Sequence, residues 1–182
     1  MFNLLFLDDF FGSAVLEEIL REVESAAGGD AEVYGATAGG AVDPRTRSTK
    51  KLIVAPAIRE RVASAFTELR PALEEHFRIV LTSFEEPQFL RYGPGDFFVA
   101  HQDGNTGLIR DDAMHRRVSL VAFLNDAYSG GSLLLHGRYP HFDQRHVVPA
   151  RPGALVAFPS ETTHEVTPVT DGLRYTIVSW YR

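Results

Sequence analysis

The chain of 182 residues contains no cysteine, which excludes disulfides, thiolate metal sites and a cysteine nucleophile together. Any metal it binds must be held by His, Asp or Glu. It also lacks a basic excess: 18 Lys and Arg against 24 Asp and Glu leave a formal net charge of -6. A protein whose main work is gripping nucleic-acid backbone depends on clustered positive charge, so that class is disfavoured. No stretch reaches the ~18 to 20 uninterrupted apolar residues of a membrane span. The opening MFNLLFLDDFFG is apolar but has no basic leader, carries Asp8 and Asp9, and shows no small-residue cleavage pattern. It reads as a core strand, and the chain as a protein of the cytoplasm.

Apolar residues make up 45% of the chain, enough for one sizeable core and too short a chain for two ordinary domains. The expectation is one domain over residues 1–182, with a strand and supporting helices in 1–86 and a β core in 87–182. After Ser13, a plausible N-cap, Val15, Leu16, Ile19, Leu20 and Val23 recur at helical spacing until GGD stops the run. Ile58, Val62, Phe66, Leu69, Leu73 and Phe77 mark a second helix, which Pro71 is expected to kink or restart. Between them, YGATAGGAVDPRTRSTKK reads as a surface loop whose Arg45, Arg47, Lys50 and Lys51 are solvated; the functional alternative is a flap over a substrate.

From Pro87 short runs rich in Val, Ile, Phe, Tyr and Thr alternate with Gly, Pro and Asn punctuation: QFLRY, DFFVAHQ, RVSLVAFLN, GSLLLHG, HVVPA, GALVAFP, THEVTPV and LRYTIVSWYR. Such spacing predicts a sandwich or barrel. The fold class expected is mainly β with flanking helices: a double-stranded β-helix (cupin-like jelly roll) with the N-terminal helices packed on one face.

Two His-x-Asp patterns occur, His101-Gln102-Asp103 and His141-Phe142-Asp143, where composition alone gives about 0.4, so context has to choose between them. His101 and Asp103 close a run in which Phe97, Val99, His101 and Asp103 share a face at period two, allowing imidazole and carboxylate to converge. His141 and Asp143 lie in polar GRYPHFDQRH, a loop. His164, opening a late strand after a turn, is the third candidate ligand. Two His and one carboxylate leave three adjacent octahedral positions open, as non-haem Fe(II) oxygenases require; the alternative is two unrelated strand-end histidines. On the last strand Arg174, Thr176, Val178 and Trp180 share a face. A buried Arg174 demands an anion, either a dicarboxylic cosubstrate held bidentately or a structural Asp or Glu.

The order Tyr92, His101-Gln102-Asp103, SLVAFLND, GGSLLL, PGALVAFPS, HEVTPV and LRYTIVSWY resembles the Fe(II)/2-oxoglutarate-dependent dioxygenases, and among them the prolyl 4-hydroxylase-like branch, over about residues 87–182. The resemblance implies Fe(II) on His101, Asp103 and His164, with 2-oxoglutarate and O2 as cosubstrates and ascorbate as a supporting reductant. It implies that Arg174 pairs with the distal carboxylate of 2-oxoglutarate, that Tyr92 hydrogen-bonds the same group and that Thr176 assists. Trp180 matches an aromatic bordering the substrate pocket, or is a core residue. Collagen-type relatives often carry Lys where this chain has Arg174, which turns the comparison towards bacterial and oxygen-sensing-like members. Halogenating relatives have a small residue in place of Asp103, so its presence implies hydroxylation.

The expected activity is hydroxylation of a C–H bond in a prolyl or other protein residue, or in a small amino-acid-like molecule, releasing succinate and CO2. A nucleobase demethylase is an alternative within the family, and a non-catalytic cupin-like module binding metal or a small ligand is one from outside it. Partners are expected to be a protein, peptide or small-molecule substrate, without nucleic acid or membrane. Substrate contacts are expected from the loops 103–117 and 137–146 and the flap 43–51. Arg116 and Arg117 read as structural or solvated. His76, His115, His136 and His146 are expected to have no convergent partners.

Overall fold

The computed structural model describes residues 2–32, 43–137, 141 and 143–182. In chain order the elements are β1 (Leu5–Leu7), α1 (Ser13–Ser25), β2 (Gly28–Asp30), β3 (Arg47–Ser48), β4 (Lys50–Leu52), α2 (Pro56–Phe77), β5 (Gln88–Tyr92), β6 (Phe97–His101), β7 (Val118–Phe123), β8 (Tyr128–Gly130), β9 (Leu133–His136), β10 (Arg145–Val147), β11 (Leu155–Pro159), β12 (His164–Val166), β13 (Val169–Gly172) and β14 (Arg174–Tyr181). A seven-stranded sheet runs β1-β11-β7-β14-β5-β4-β2 and a five-stranded sheet β10-β9-β12-β6-β3. This is the expected double-stranded β-helix.

Side-chain alternation divides the large sheet between two cores. Leu120 and Ala122 of β7, Leu155 and Ala157 of β11, and Tyr175 and Ile177 of β14 join Ile19 and Val23 of α1 and Val62, Phe66 and Leu73 of α2. Their neighbours Val121, Phe123, Val156 and Phe158 face inward and meet Leu133, Leu135 and Val166 of the small sheet. All six residues of β7 are buried, since helices cover one face of the sheet and the second sheet covers the other. The helices therefore lie on one face, and the barrel interior stays free for chemistry.

Several sequence expectations change. α1 begins at Ser13, but its cap is Gly12, whose carbonyl accepts from the Val15 and Leu16 amides. α2 runs unbroken through Pro71; Pro71 and Thr67, whose carbonyl loses its partner there, are both exposed, so water can serve that carbonyl. β1 is an edge strand with β11 as its one partner and is only partly buried. The stretch read as a solvated loop is partly strand: β3 pairs with β6 and β4 with β5, so it joins both sheets. Its residues 34–42 lie outside the described set. Two short strands that the pattern did not announce, β8 and β13, form a separate ribbon. No helix among the described residues is long and apolar enough to cross a membrane.

Candidate metal centre and cosubstrate pocket

β6 and β12 are antiparallel neighbours with His101 directly opposite His164, and Phe98 opposite Val166. Two steps along β12 thus match three along β6, so β6 carries one extra residue. Such a bulge resets the alternation. Phe98, not Phe97 or Val99, consequently shares the inner face with His101: their rings stack with centroids 3.6 Å apart, while Val99 is 39% exposed. The period-two reading of Phe97 and Val99 as leading into the site is corrected by that bulge.

Asp103 lies just past the strand end, where its amide and that of Gly104 donate to the Ser160 carbonyl. Its Oδ1 is 3.4 Å from His101 Nε2 and its Oδ2 3.4 Å from His164 Nε2. One ligand atom from each of the three residues falls within 4.8 Å of the others. Neighbouring ligands on a six-coordinate ion with bonds of about 2.1 Å stand about 3 Å apart, so the triad is close to the spacing such an ion needs.

Each member has its remaining polar atom committed. His101 Nδ1 lies 2.8 Å from the Val99 carbonyl and His164 Nδ1 2.9 Å from the Thr162 carbonyl. A carbonyl only accepts, so both Nδ1 atoms carry the proton and both Nε2 lone pairs face the site. Ser119 Oγ donates to Asp103 Oδ2 at 2.7 Å and lies 3.0 Å from Ser160 Oγ. Burial works to raise the Asp103 carboxyl, but the imidazoles of His164 and His101 and the Ser119 hydroxyl outweigh it and hold it well below the usual carboxylate range. Burial pushes His164 down to about 4 against the pull of Asp103. At neutral pH the site offers one carboxylate and a neutral His164, the forms that bind metal.

The inner face of β14 behaves as its sequence predicts: Arg174, Thr176, Val178 and Trp180 line one cavity with Tyr92, His101, Asp103 and His164. Arg174 stands opposite Tyr92 across the β14–β5 pairing, is 1% exposed, and has its Cζ 5.0 Å from the Tyr92 ring centroid. Its Nη1 reaches Thr176 Oγ1 at 3.4 Å, whereas Nε and Nη2 are buried without partners. No Asp or Glu pairs with it among the described residues. The structural ion pair left open by the sequence is therefore absent, and the chemistry of the group calls for an anion such as a carboxylate. Gly131, at φ +59°, sits so close that a Cβ there would lie 2.9 Å from Arg174 Cδ.

The competing pattern is not brought to the site. His141 and Asp143 are exposed and outside strands, and Phe142 lies outside the described residues. Arg116 is structural, held by a bidentate pair with Glu85 at 2.7 and 2.6 Å, with its Cζ 3.8 Å over the Trp180 ring. His136 is a strand histidine at the end of β9 and joins no site; its Nε2 stands 3.1 Å from Glu165 Oε1 of β12 without making a hydrogen bond. Sequence reading missed Ser119 and Ser160, although a lone hydroxyl in apolar RVSLVAF was a signal. It also misread Arg47, which is 7% exposed and lines the cavity. Strand pairing with β6, invisible in a two-residue strand, turns it inward.

A jelly roll that converges two imidazoles and a carboxylate beside a buried guanidinium without a carboxylate partner defines the non-haem iron oxygenases that use a 2-oxo acid. Comparison with known proteins agrees. Residues 87–182, more than half the chain, match the sequence model of the 2OG-Fe(II) oxygenase superfamily, and the chain belongs to that superfamily. A PKHD-type hydroxylase of Klebsiella pneumoniae is 27% identical over 96% of this chain and 76% of its own length; one from Paracoccus denitrificans is 36% identical over 52% of this chain and 41% of its own. The fold is that of a Pseudomonas putida prolyl-4-hydroxylase, with TM-score 0.74 and 24% identity over 100% of this chain and 93% of that one. A Trichoplax adhaerens prolyl hydroxylase gives 0.71 and 21% over 98% and 83%. The protein is thus a 2OG-Fe(II) oxygenase, with Fe(II), 2-oxoglutarate and O2 as the cofactor set of that family and a His-Asp-His site to hold the metal.

Proposed function

We propose that the protein hydroxylates a C–H bond of a prolyl or other protein residue, or of a small amino-acid-like molecule, and releases succinate and CO2 from 2-oxoglutarate. The observation that carries this reading is the buried Arg174 with two unpaired nitrogens in the same cavity as the His-Asp-His triad. The names of the relatives, PKHD-type and prolyl hydroxylases, support the hydroxylase chemistry. Fe(II) with its 2-oxo acid supplies the activation of O2 that C–H hydroxylation requires.

The residues divide that work by position. His101, Asp103 and His164 would hold the metal through Nε2, a carboxylate oxygen and Nε2. Arg174 takes the distal carboxylate, with Thr176 and Tyr92 beside it, and so orients the reactive end at the metal. Ser119 keeps the Asp103 carboxylate in place. Val178 and Trp180 keep the rest of the wall apolar. The chain acts as a single oxygenase domain, working in the cytoplasm on a protein, peptide or small molecule, with no nucleic-acid partner.

The test is aerobic turnover of 2-oxoglutarate by purified protein with Fe(II) and ascorbate, followed as succinate. Succinate formation, raised by a substrate found as a +16 Da product in a peptide or metabolite library, is expected. Absence of both succinate formation and 2-oxoglutarate binding would sink the proposal and leave a binding module.

A further inference from the structure

Arg47 is the second buried guanidinium of the cavity, and the reading above gives it no role. β3 sets it opposite Phe98 of β6, so both side chains project to the same face. Its Cζ lies 4.8 Å from the Phe98 ring centroid, and its Nη1 donates to the Glu32 carbonyl at 3.0 Å. The buried Nε has no partner, and among the described residues no carboxylate pairs with this guanidinium. Two fixed contacts hold the group still, while neither neutralises it. A buried charge in that condition is costly unless something brings the counter-charge.

The charges around the cavity indicate what brings it. Its charged side chains are Asp103, Arg174 and Arg47. With Fe(II) and 2-oxoglutarate in place, the two carboxylates of the cosubstrate and Asp103 offset the metal and Arg174. Arg47 is then the positive charge left over. It is also close to the reacting centre, because the Phe98 ring it covers is stacked on the metal-ligand candidate His101.

We propose that the primary substrate carries a free carboxylate and docks it on Arg47, so that the enzyme prefers a free amino acid or a chain end bearing an acid over an internal residue. The inference rests on the hydroxylase reading. A guanidinium fixed one ring away from a metal ligand sets both the charge of the substrate and the short distance between its carboxylate and the C–H bond attacked.

The single tryptophan, Trp180, lines the same cavity, so binding is read from its fluorescence without turnover. The full chain, loaded with redox-inert Mn(II) and 2-oxoglutarate in the absence of O2, is titrated with the protein L-amino acids and their amides. Proline-terminated peptides follow, as free acids and as C-terminal amides. At least one acid is expected to bind about tenfold or more tighter than its amide, as a charge-assisted contact requires. Whether the free amino acid or the peptide acid shows the preference identifies the source of the carboxylate. Arg47→Gln is expected to erase the preference and Arg47→Lys to keep part of it, each checked for folding by thermal melting. Equal binding of acids and amides, no response to any acid, or a preference that survives Arg47→Gln overturns the inference while 2-oxoglutarate still binds. Absence of 2-oxoglutarate binding removes the hydroxylase reading itself, and the inference with it. If Arg47→Gln does not fold, the acid–amide comparison on the unaltered protein decides.

Discussion

His101 and His164 each give Nδ1 to a backbone carbonyl two residues back, a local bond that fixes the ring and leaves Nε2 for the metal. His101→Ala or Asp103→Ala is therefore expected to abolish stoichiometric Fe(II) binding in an anaerobic titration, and His141→Ala to leave it nearly intact; the reverse pattern would make the exposed motif the metal site. Arg174 has no protein anion to fall back on among the described residues. Replacing it with Ala should weaken 2-oxoglutarate by roughly 10- to 100-fold, the worth of a hydrogen-bonded charge, with Fe(II) still bound. Gly131→Ala should act in the same direction without touching either ligand, because its Cβ would intrude on Arg174 Cδ at 2.9 Å. Unchanged cosubstrate affinity in both variants would remove Arg174 from that role. These residue identities were legible in the sequence, since a His-x-Asp, a later His and an Arg ten residues on can be read without coordinates. The partners of Asp103 were not: Ser119 is 16 and Ser160 57 positions away in the chain, and only the fold makes them neighbours.

At the scale of elements, the strands of the second half were readable because each is a compact run of β-branched and aromatic residues between turn formers. The bulge in β6 was not, because it is a property of the pairing of β6 with β12 and not of either strand. β3 is two residues long and offers no period to detect, which is why Arg47 read as solvated. α2 shows the opposite case, a disruptive residue overridden by packing: Val62, Phe66, Leu69 and Leu73 anchor the helix on both sides of Pro71. Pro71→Ala restores the missing amide donor at an exposed position. It is expected to stabilise the protein by about 1–3 kcal/mol in urea unfolding, and a loss of stability would show that the proline relieves some other constraint.

Across the whole molecule, Glu85 ties the metal side of the barrel to the end of the chain. It binds Arg116, whose Nη1 reaches the Asp103 carbonyl at 3.4 Å, and Arg182 at 2.9 Å. Burial works to raise the Glu85 carboxyl, but hydrogen bonds and charge from Arg116 and then Arg182 outweigh it and hold it below the usual carboxylate range. A carboxylate depressed on folding contributes stability above its unfolded pKa and loses it as pH falls through the folded one. Glu85→Gln should accordingly destabilise the protein most near neutral pH, with the difference in urea midpoint shrinking below about pH 4. A difference independent of pH would mean that the carboxylate charge plays no part.

The sequence by itself determined the chemistry available to this protein: no thiol, two histidines and an aspartate at strand ends, and an arginine, a hydroxyl and an indole alternating on the last strand. Composition and period are local quantities, and those features are local. Tertiary structure decided that Arg174 meets no carboxylate among the described residues and that Arg47 is buried beside the metal site. Each of these depends on which strand lies next to which and in what register, and that is set by burying both faces of one sheet at once.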